Sequence, residues 1–326
     1  MANVNMSEVA QMAGVSIATV SHVINNTRFV AEDTRRRVLE SIDALDYRPN
    51  MMARIFKTGK KNLIGFIVPD IANAFFATII EEVEKIIGKG SYSLIVSNTK
   101  ETPERELETV TALANGIVDG LIIASTLESY QSLAPLIPSG VPHLFIDRVI
   151  ADCPQHSIVV SNYYAVYDAV ETLIQEGHTR IGYITGLPHL STTQERLSAY
   201  RSAMETHAIP IDENLICAGT SMHNESDLNA EMLLRQGCTA IIVSNNVMTD
   251  DVLYYLDKQN LRGKIALVGY NDSGYRNYAL RNIYSIKQPA VELGRTAGAQ
   301  IVSLIENPGQ PIQQVSLTAS FIRPEL

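Results

Sequence analysis

At 326 residues the chain is long enough for two or three domains, and 46% hydrophobic with 19% charged residues is the composition of a globular protein with a sizeable core. Its three cysteines, Cys153, Cys217 and Cys238, are far apart and form no C-x-x-C pair, which argues against a disulfide framework or zinc site and for a reducing cytosol. The net charge of −9 is unevenly spread: residues 1–61 carry nine Lys/Arg against six Asp/Glu, and the remainder 17 against 29. A basic head on an acidic body is the asymmetry expected when only the head meets phosphate.

The opening MANVNMSEVAQ has no basic n-region and no apolar h-region, so no secretory signal is read there. No apolar run reaches the roughly 18 residues of a membrane span, so a protein without a membrane partner is expected.

Three short helical patterns follow. Ser7 is placed to cap the first, over residues 8–13, with Val9, Ala10 and Ala13 on one face. Gly14 breaks it with a tight left-handed turn. Ser16 caps the second, from Ile17 to Asn25, with Val20, Val23 and Ile24 inward. The third begins after Val30, where Glu32, Asp33 and Thr34 suit a positive helix N-terminus, and buries Val38, Ile42 and Leu45. Pro49 ends this section, because a residue before proline avoids helical geometry. Residues 50–58 read as a helical stretch too short to be stable alone, and residues 59–61 as a linker.

Beyond the linker the rhythm changes to β-branched runs alternating with amphipathic helices. Strands are expected at 63–68, 92–96, 120–124, 141–146 and 157–160, with helices over 74–88 and 103–115. A second set opens with strands at 180–184, 240–243 and 265–268. Such alternation implies parallel sheets with flanking helices, and two sets imply two lobes with a ligand cleft at the strand C-termini.

AGVSIATVSHVIN at 13–25 is the most specific motif. Two helices meeting at a short turn containing glycine form a helix-turn-helix, whose second helix can enter a major groove. The bland alternative is a generic three-helix bundle. The outward positions Ile17, Ala18, Ser21 and His22 lack the charge usual on a solvated helix. His22 suits a purine N7 or O6, and Ile17 and Ala18 suit thymine methyls. Ser16, Thr19, Ser21 and Asn25 are short polar groups fit for phosphate.

These residues resemble the headpiece of the LacI/GalR family of bacterial regulators over 5–58. The match includes Glu8-Val9-Ala10, AGVS (13–16), TVS (19–21), TR (34–35) and YRPN (47–50). Residues 19–35 are most similar to the purine repressors of that family. The likeness runs on through IGFIVPDIANAFF (64–76), VDGLII (118–123), FIDR (145–148), GHTRIGYITG (177–186), ERLSAYR (195–201), VGYND (268–272) and IKQP (286–289).

The resemblance implies a small all-α helix-turn-helix headpiece joined to an α/β two-lobed sensor of periplasmic-binding-protein type. The headpiece would be 1–48 and the hinge helix with its linker 49–61. The effector-binding and dimerisation domain would be 62–326, its first lobe about 62–160 and 290–320 and its second about 161–289. It further implies a cytoplasmic, nucleoid-associated bacterial repressor that binds a palindromic operator on double-stranded DNA as a homodimer. Arg28 and Tyr47 join the DNA contacts on this basis. Asn50, Ala53 and Arg54 would line a minor groove that Phe56, where the family usually has leucine, wedges open. The alternative for Phe56 is a place in the sensor core.

By the same resemblance the effector site comprises Asp70, Asn73, Phe75, Asp147, Arg196, Asn245, Asn271 and Gln288. Planar acceptors and a guanidinium suit a polyhydroxylated ligand, since each buried hydroxyl needs a donor and an acceptor. No cofactor and no metal are expected, only a small effector: a sugar, sugar acid or sugar phosphate. Asn271 and Asn246 stand where the family usually has aspartate, and losing two carboxylates favours an anionic ligand. Leu190 replaces the base-contacting arginine of purine repressors, which argues against purine sensing.

An enzyme is not expected. There is no G-x-S-x-G, P-loop or H-E-x-x-H, the seven histidines lack metal-ligand spacing, and Asp147 beside Arg148 has no nucleophile to serve. A solute-binding protein shares the two-lobed pattern but needs a signal peptide and no headpiece. A regulator that docks a phosphocarrier protein would carry a basic patch on its first lobe, whereas residues 293–300 hold only Arg295. No heptad pattern follows residue 320, so a dimer is expected over a tetramer.

Overall fold

The computed structural model describes residues 4–26, 28–48, 59–153, 156–220, 226–270, 283–311 and 314–324. The chain divides into two compact units, Met1–Lys61 and Asn62–Leu326.

In the first unit, α1 (Met6–Ala13), α2 (Ile17–Asn25) and α3 (Glu32–Ala44) pack around Val9, Ala10, Ala13, Val20, Val23, Val38 and Tyr47. The start of α1 differs from the expectation at Ser7. Asn5 is the cap, its side chain accepting from the backbone of Ser7 and Glu8 while the Glu8 carboxylate accepts from the Asn5 N–H. That reciprocal box satisfies more orphan N–H groups than a serine two residues later could. Gly14 closes α1 at φ 64°, a left-handed turn that a Cβ would strain. Ser16 caps α2 as read, accepting from Thr19 N–H at 3.1 Å.

The second unit contains two six-stranded sheets. In chain order come β1 (Leu63–Val68), α4 (Ala74–Ile87), β2 (Ser93–Asn98), α5 (Pro103–Ala114), β3 (Gly120–Ile123), β4 (His143–Asp147) and β5 (Ser157–Ser161). Then follow α6 (Tyr163–Gln175), β6 (Ile181–Thr185), α7 (Ser191–Thr206), β7 (Ile216–Ala218), α8 (Ser226–Arg235), β8 (Ala240–Val243) and α9 (Asn246–Lys258). The chain continues through β9 (Ala266–Tyr270), β10 (Tyr284–Lys287), α10 (Ala290–Glu306), β11 (Val315–Thr318) and β12 (Ser320–Ile322).

The first sheet runs β11-β5-β4-β3-β1-β2, with every pair parallel. The second runs β12-β10-β9-β8-β6-β7 and is parallel except where β12 meets β10. Burial on both faces explains why β1, β3 and β8 are unbroken apolar runs rather than alternating ones. The chain passes between sheets after β5, after β10 and between β11 and β12. α10 returns to pack on α4, where Arg295 Nε bonds Glu82 Oε2 at 2.8 Å.

At the N-terminal end of β4, His143 is buried. Its Nδ1–H donates to the Val141 carbonyl at 3.4 Å, and its Nε2 accepts from Tyr130 Oη at 2.9 Å. Burial pushes its pKa down to about 4, against the pull of the Val141 carbonyl and with help from His156. Between pH 6.5 and 4 the unfolded chain therefore takes up a proton that the folded one refuses. Stability should fall as pH falls through that window, by at most roughly 3 kcal/mol from this group. His143→Gln should flatten the curve of Tm against pH there; an unchanged slope would show that His143 is not responsible.

Candidate DNA-binding face and effector cleft

In the first unit, α2 presents Ser16, Ile17, Ala18 and Asn25 to solvent, with Thr19, Ser21 and His22 half-buried. The Asn25 amide nitrogen is engaged with the Ser21 carbonyl at 2.8 Å, and Ser16 Oγ lies 2.9 Å from Thr19 Oγ1. Arg28 is exposed in the segment after α2. Tyr47 is placed differently from the other sequence-derived contacts: it is 7% exposed and packs in the headpiece core. It lies five positions from Ile42 and nine from Val38 in the chain, close enough for local packing to claim it. Asn50, Ala53, Arg54 and Phe56 lie outside the described residues, as does Asn271.

In the second unit a cavity of about 50 Å³ opens between the two lobes, at the C-terminal ends of both sheets. Asn73, Phe75, Asp147, Arg196, Asn245 and Gln288 all line it. Asp70 does not; its carboxylate accepts from Ala72 N–H at 3.0 Å in a local turn. Residues not singled out as effector contacts also line the wall, chiefly Phe76, Arg148, Thr192, Thr193, Ser244 and Asn246.

The lining follows from how the elements end. Asn73 caps α4, its Oδ1 accepting from Phe75 N–H at 3.0 Å, and Phe75 and Phe76 meet edge to face at 5.3 Å. Asn245 caps α9 in the same way, accepting from Met248 N–H at 2.8 Å. Helix N-termini therefore face the cleft from both lobes. Asp147 ends β4 at φ 66°, a left-handed conformation that costs a non-glycine residue energy and recurs at functional sites.

Asp147 is buried, and burial pushes its carboxyl pKa up while Arg148 and Arg196 pull it back. Its Oδ1 has no hydrogen-bond partner among the described residues, and its Oδ2 stands 3.9 Å from Arg148 Nε. The buried Arg148 guanidinium uses Nη2 on Glu101 at 2.5 Å and Nη1 on the Ser125 carbonyl at 3.3 Å, leaving Nε with no hydrogen bond among the described residues. Gln288 Nε2 is likewise buried and unmatched. Arg196, on α7, donates to the Ser244 carbonyl and lies over the Tyr270 ring at 4.5 Å. Unmatched buried donors and acceptors are costly, so a pocket holding several is built for a polar occupant.

Among the described residues, hydrogen bonds join the two lobes across the cleft. Asn246 Nδ2 donates to Asn73 Oδ1 at 2.8 Å, Val149 N–H to Ser191 Oγ at 2.9 Å, and His189 Nε2–H to the Thr126 carbonyl at 3.2 Å. The first accounts for Asn246 without reference to ligand charge: only an amide can donate there, and a carboxylate would face the Asn73 oxygen. Asn246→Asp should therefore favour the open cleft by about 1–3 kcal/mol. Hydrogen exchange at the Phe75 and Met248 amides would report it; exchange as slow as in the parent would count against this bond as a clasp.

Among the described residues no helix is long and apolar enough to cross a membrane, and no cluster of His, Cys, Asp and Glu could hold a metal. Comparison with known proteins identifies the two units separately. Residues 5–50 match bacterial regulatory proteins of the lacI family, and residues 170–323 match the periplasmic binding protein-like domain. The chain is 32% identical over 299 residues to the HTH-type transcriptional repressor PurR of Photobacterium profundum, covering 90% of this chain and 89% of that one. It belongs to the lacI family of bacterial regulatory proteins.

Other members of the lacI family agree. The ribose operon repressor of Haemophilus influenzae is 29% identical over 324 residues, 98% of this chain and 97% of that one. The lac repressor dimer bound to operator and the anti-inducer ONPF superposes with a TM-score of 0.80 at 26% identity, covering 98% of each chain. The two-sheet architecture and the helix-turn-helix head are thus those of this family, and the chain is a transcriptional regulator, not an enzyme.

Proposed function

We propose that this lacI-family regulator is a cytoplasmic repressor that binds a palindromic operator as a homodimer, and that a sugar or sugar derivative in the interlobe cleft controls it. The headpiece would be residues 1–48, the hinge 49–61 and the sensor 62–326. Ile17, Ala18 and His22 read base edges. Ser16, Thr19, Ser21, Asn25 and Arg28 hold the backbone, and the hinge adds Asn50, Ala53, Arg54 and Phe56 in the minor groove.

The observation that carries the effector reading is the convergence of Asp147 Oδ1, Arg148 Nε and Gln288 Nε2, all buried and unmatched, on one cavity. A ligand rich in hydroxyls supplies a donor for the first and acceptors for the others. The ribose operon and lac repressors among its relatives are consistent with a sugar. Ligand bound between lobes changes their angle, and coupling of this kind is worth about 1–3 kcal/mol, or roughly 5–150-fold in DNA affinity.

A thermal-shift screen of monosaccharides, sugar acids and sugar phosphates, repeated as DNA-release assays, tests this. A compound that raises Tm and changes DNA affinity supports it, and the sign of the change assigns inducer or co-repressor. If none does, the sugar reading is wrong. His22→Ala should lose discrimination at one base pair; uniform weakening on all sequences would make His22 a phosphate contact.

A further inference from the structure

Where the chain leaves the first sheet after β5, a carboxylate of the second lobe holds it. Glu195, on α7, accepts from Ser161 Oγ at 2.8 Å with Oε1 and from Asn162 N–H at 3.0 Å with Oε2. Ser161 is the last residue of β5 and Asn162 leads into α6, so the carboxylate spans the peptide at which the chain changes sheet. Asn162 is fully buried; its Nδ2 donates to the Val160 carbonyl at 2.8 Å, and its Oδ1 accepts from Tyr270 Oη at 3.4 Å. The Ser161 carbonyl in turn accepts from Ala319 N–H at 2.9 Å, which ties in the crossing between β11 and β12.

The neighbour of Glu195 gives this grip a use. Successive residues of a helix point about 100° apart, so Glu195 meets the crossing while Arg196 lines the cavity. The Arg196 guanidinium lies over the Tyr270 ring at 4.5 Å, and the hydroxyl of that same ring is bonded to Asn162. Cleft wall and crossing are therefore joined twice within one turn of α7: along the backbone from residue 195 to 196, and through Tyr270. An ionised acceptor makes the stronger kind of hydrogen bond, and a buried N–H such as that of Asn162 is costly to leave unanswered.

We propose that Glu195 is a positioning residue that fixes the pivot between the lobes and couples it to the effector contact Arg196. The coupling to an effector rests on the interlobe reading above. An occupant that draws on Arg196 moves α7, and with α7 the carboxylate on which the first lobe turns.

Hydrogen exchange on the full-length protein, with Glu195→Met, Glu195→Gln, Tyr270→Phe and the double variant Glu195→Met/Tyr270→Phe, tests the inference without any effector. Val149 N–H reports lobe closure, because it donates to Ser191 Oγ across the cleft, and the amides of β1 and β8 report the stability of each lobe by itself. Glu195→Met keeps the length of the side chain and answers neither donor, so exchange at Val149 should be about tenfold faster with β1 and β8 unchanged. Glu195→Gln should stay near the parent, since its oxygen can take the Asn162 N–H while its amide donates to the Ser161 hydroxyl. Tyr270→Phe should give a smaller rise, and the double variant should exchange no faster than Glu195→Met, because both changes release one pivot. A parental rate at Val149 in Glu195→Met would overturn the inference. So would equal acceleration in β1 and β8, which would make Glu195 a stabiliser of the whole unit, or a double variant in which the two effects multiply. Should Glu195→Met fail to fold, Tyr270→Phe decides, and a parental rate there overturns the inference. Any of these results leaves the effector reading standing. Failure of the sugar screen with the exchange results as expected would defeat that reading and keep the pivot.

Discussion

Replacing Arg196 by methionine is expected to abolish the response to effector, weakening its binding about 100-fold, some 3 kcal/mol, while DNA affinity without effector stays near that of the parent. Arg196 is 7% exposed, lies 4.5 Å over the Tyr270 ring and donates to the Ser244 carbonyl, so its guanidinium is held rigidly at the cleft wall. Preorganised charge-assisted bonds in a buried site are the strong ones, and methionine keeps the volume while supplying no donor. The loss also removes a positive charge that favours ionised Asp147, whose carboxyl burial already pushes up. The two effects act in the same direction on a hydroxylated ligand. Calorimetric titration with the compound found by thermal shift, beside DNA binding by anisotropy, is the measurement. A variant that responds like the parent would remove Arg196 from the site.

Gly269→Ala should destabilise the second unit by about 3 kcal/mol, lowering Tm by roughly 6–10 °C. A Cβ on Gly269 would stand 2.3 Å from Thr249 Cγ2 and 2.7 Å from Thr249 Oγ1. Thr249 is fully buried and cannot swing away. Its Oγ1 accepts from Tyr270 N–H at 2.9 Å and donates to the Asn245 carbonyl at 2.7 Å. Any retreat breaks a bond that seats the Tyr270 ring under Arg196, so effector binding should weaken along with stability. Adding Thr249→Ser removes the methyl in closest contact and keeps the hydroxyl, so the double variant should recover much of both losses. Thermal unfolding of the single and double variants decides it; a double variant no more stable than Gly269→Ala would show that this contact is not the cause.

Much of the architecture could be read in the residues. The spans expected for β1 and β8 coincide with those observed, and α2 runs from Ile17 to Asn25 as read. In each case a run of β-branched residues or a 3.6-residue period is bounded by a cap or turn residue, which is local information. Of the strands not anticipated, β7 has only three residues, and polar residues interrupt β10, β11 and β12, which therefore lack the unbroken apolar run that marks the equally short β8. They exist because a sheet edge was there to pair with. β11 and β12 leave in different directions across a single residue, Ala319, which no pattern within either strand encodes.

The site divides in the same way. Asn73, Phe75, Asp147, Arg196, Asn245 and Gln288 were expected at one ligand and line one cavity, since a resemblance over the whole chain carries positions along with it. Arg148 escapes because, beside Asp147 in the chain, it reads only as half of a catalytic pair. Only burial of its Nε, with Nη1 and Nη2 spent elsewhere, turns it toward the cleft. Asn246 invited an argument about ligand charge. Its partner, Asn73, is 173 positions away, and that distance conceals a lobe-to-lobe hydrogen bond.

The uneven charge, the alternation of strand and helix and the AGVSIATVSHVIN motif point, by themselves, to a basic helix-turn-helix head on an acidic α/β body. These are consequences of composition and short-range order, which need no knowledge of what lies across the fold. Only the tertiary structure decided that Tyr47 is core, that Asp70 turns on its own backbone and that Asn246 clasps the other lobe. Each outcome depends on which distant group removes water from a side chain or answers its hydrogen bond, and that is settled by packing rather than by neighbours in the chain.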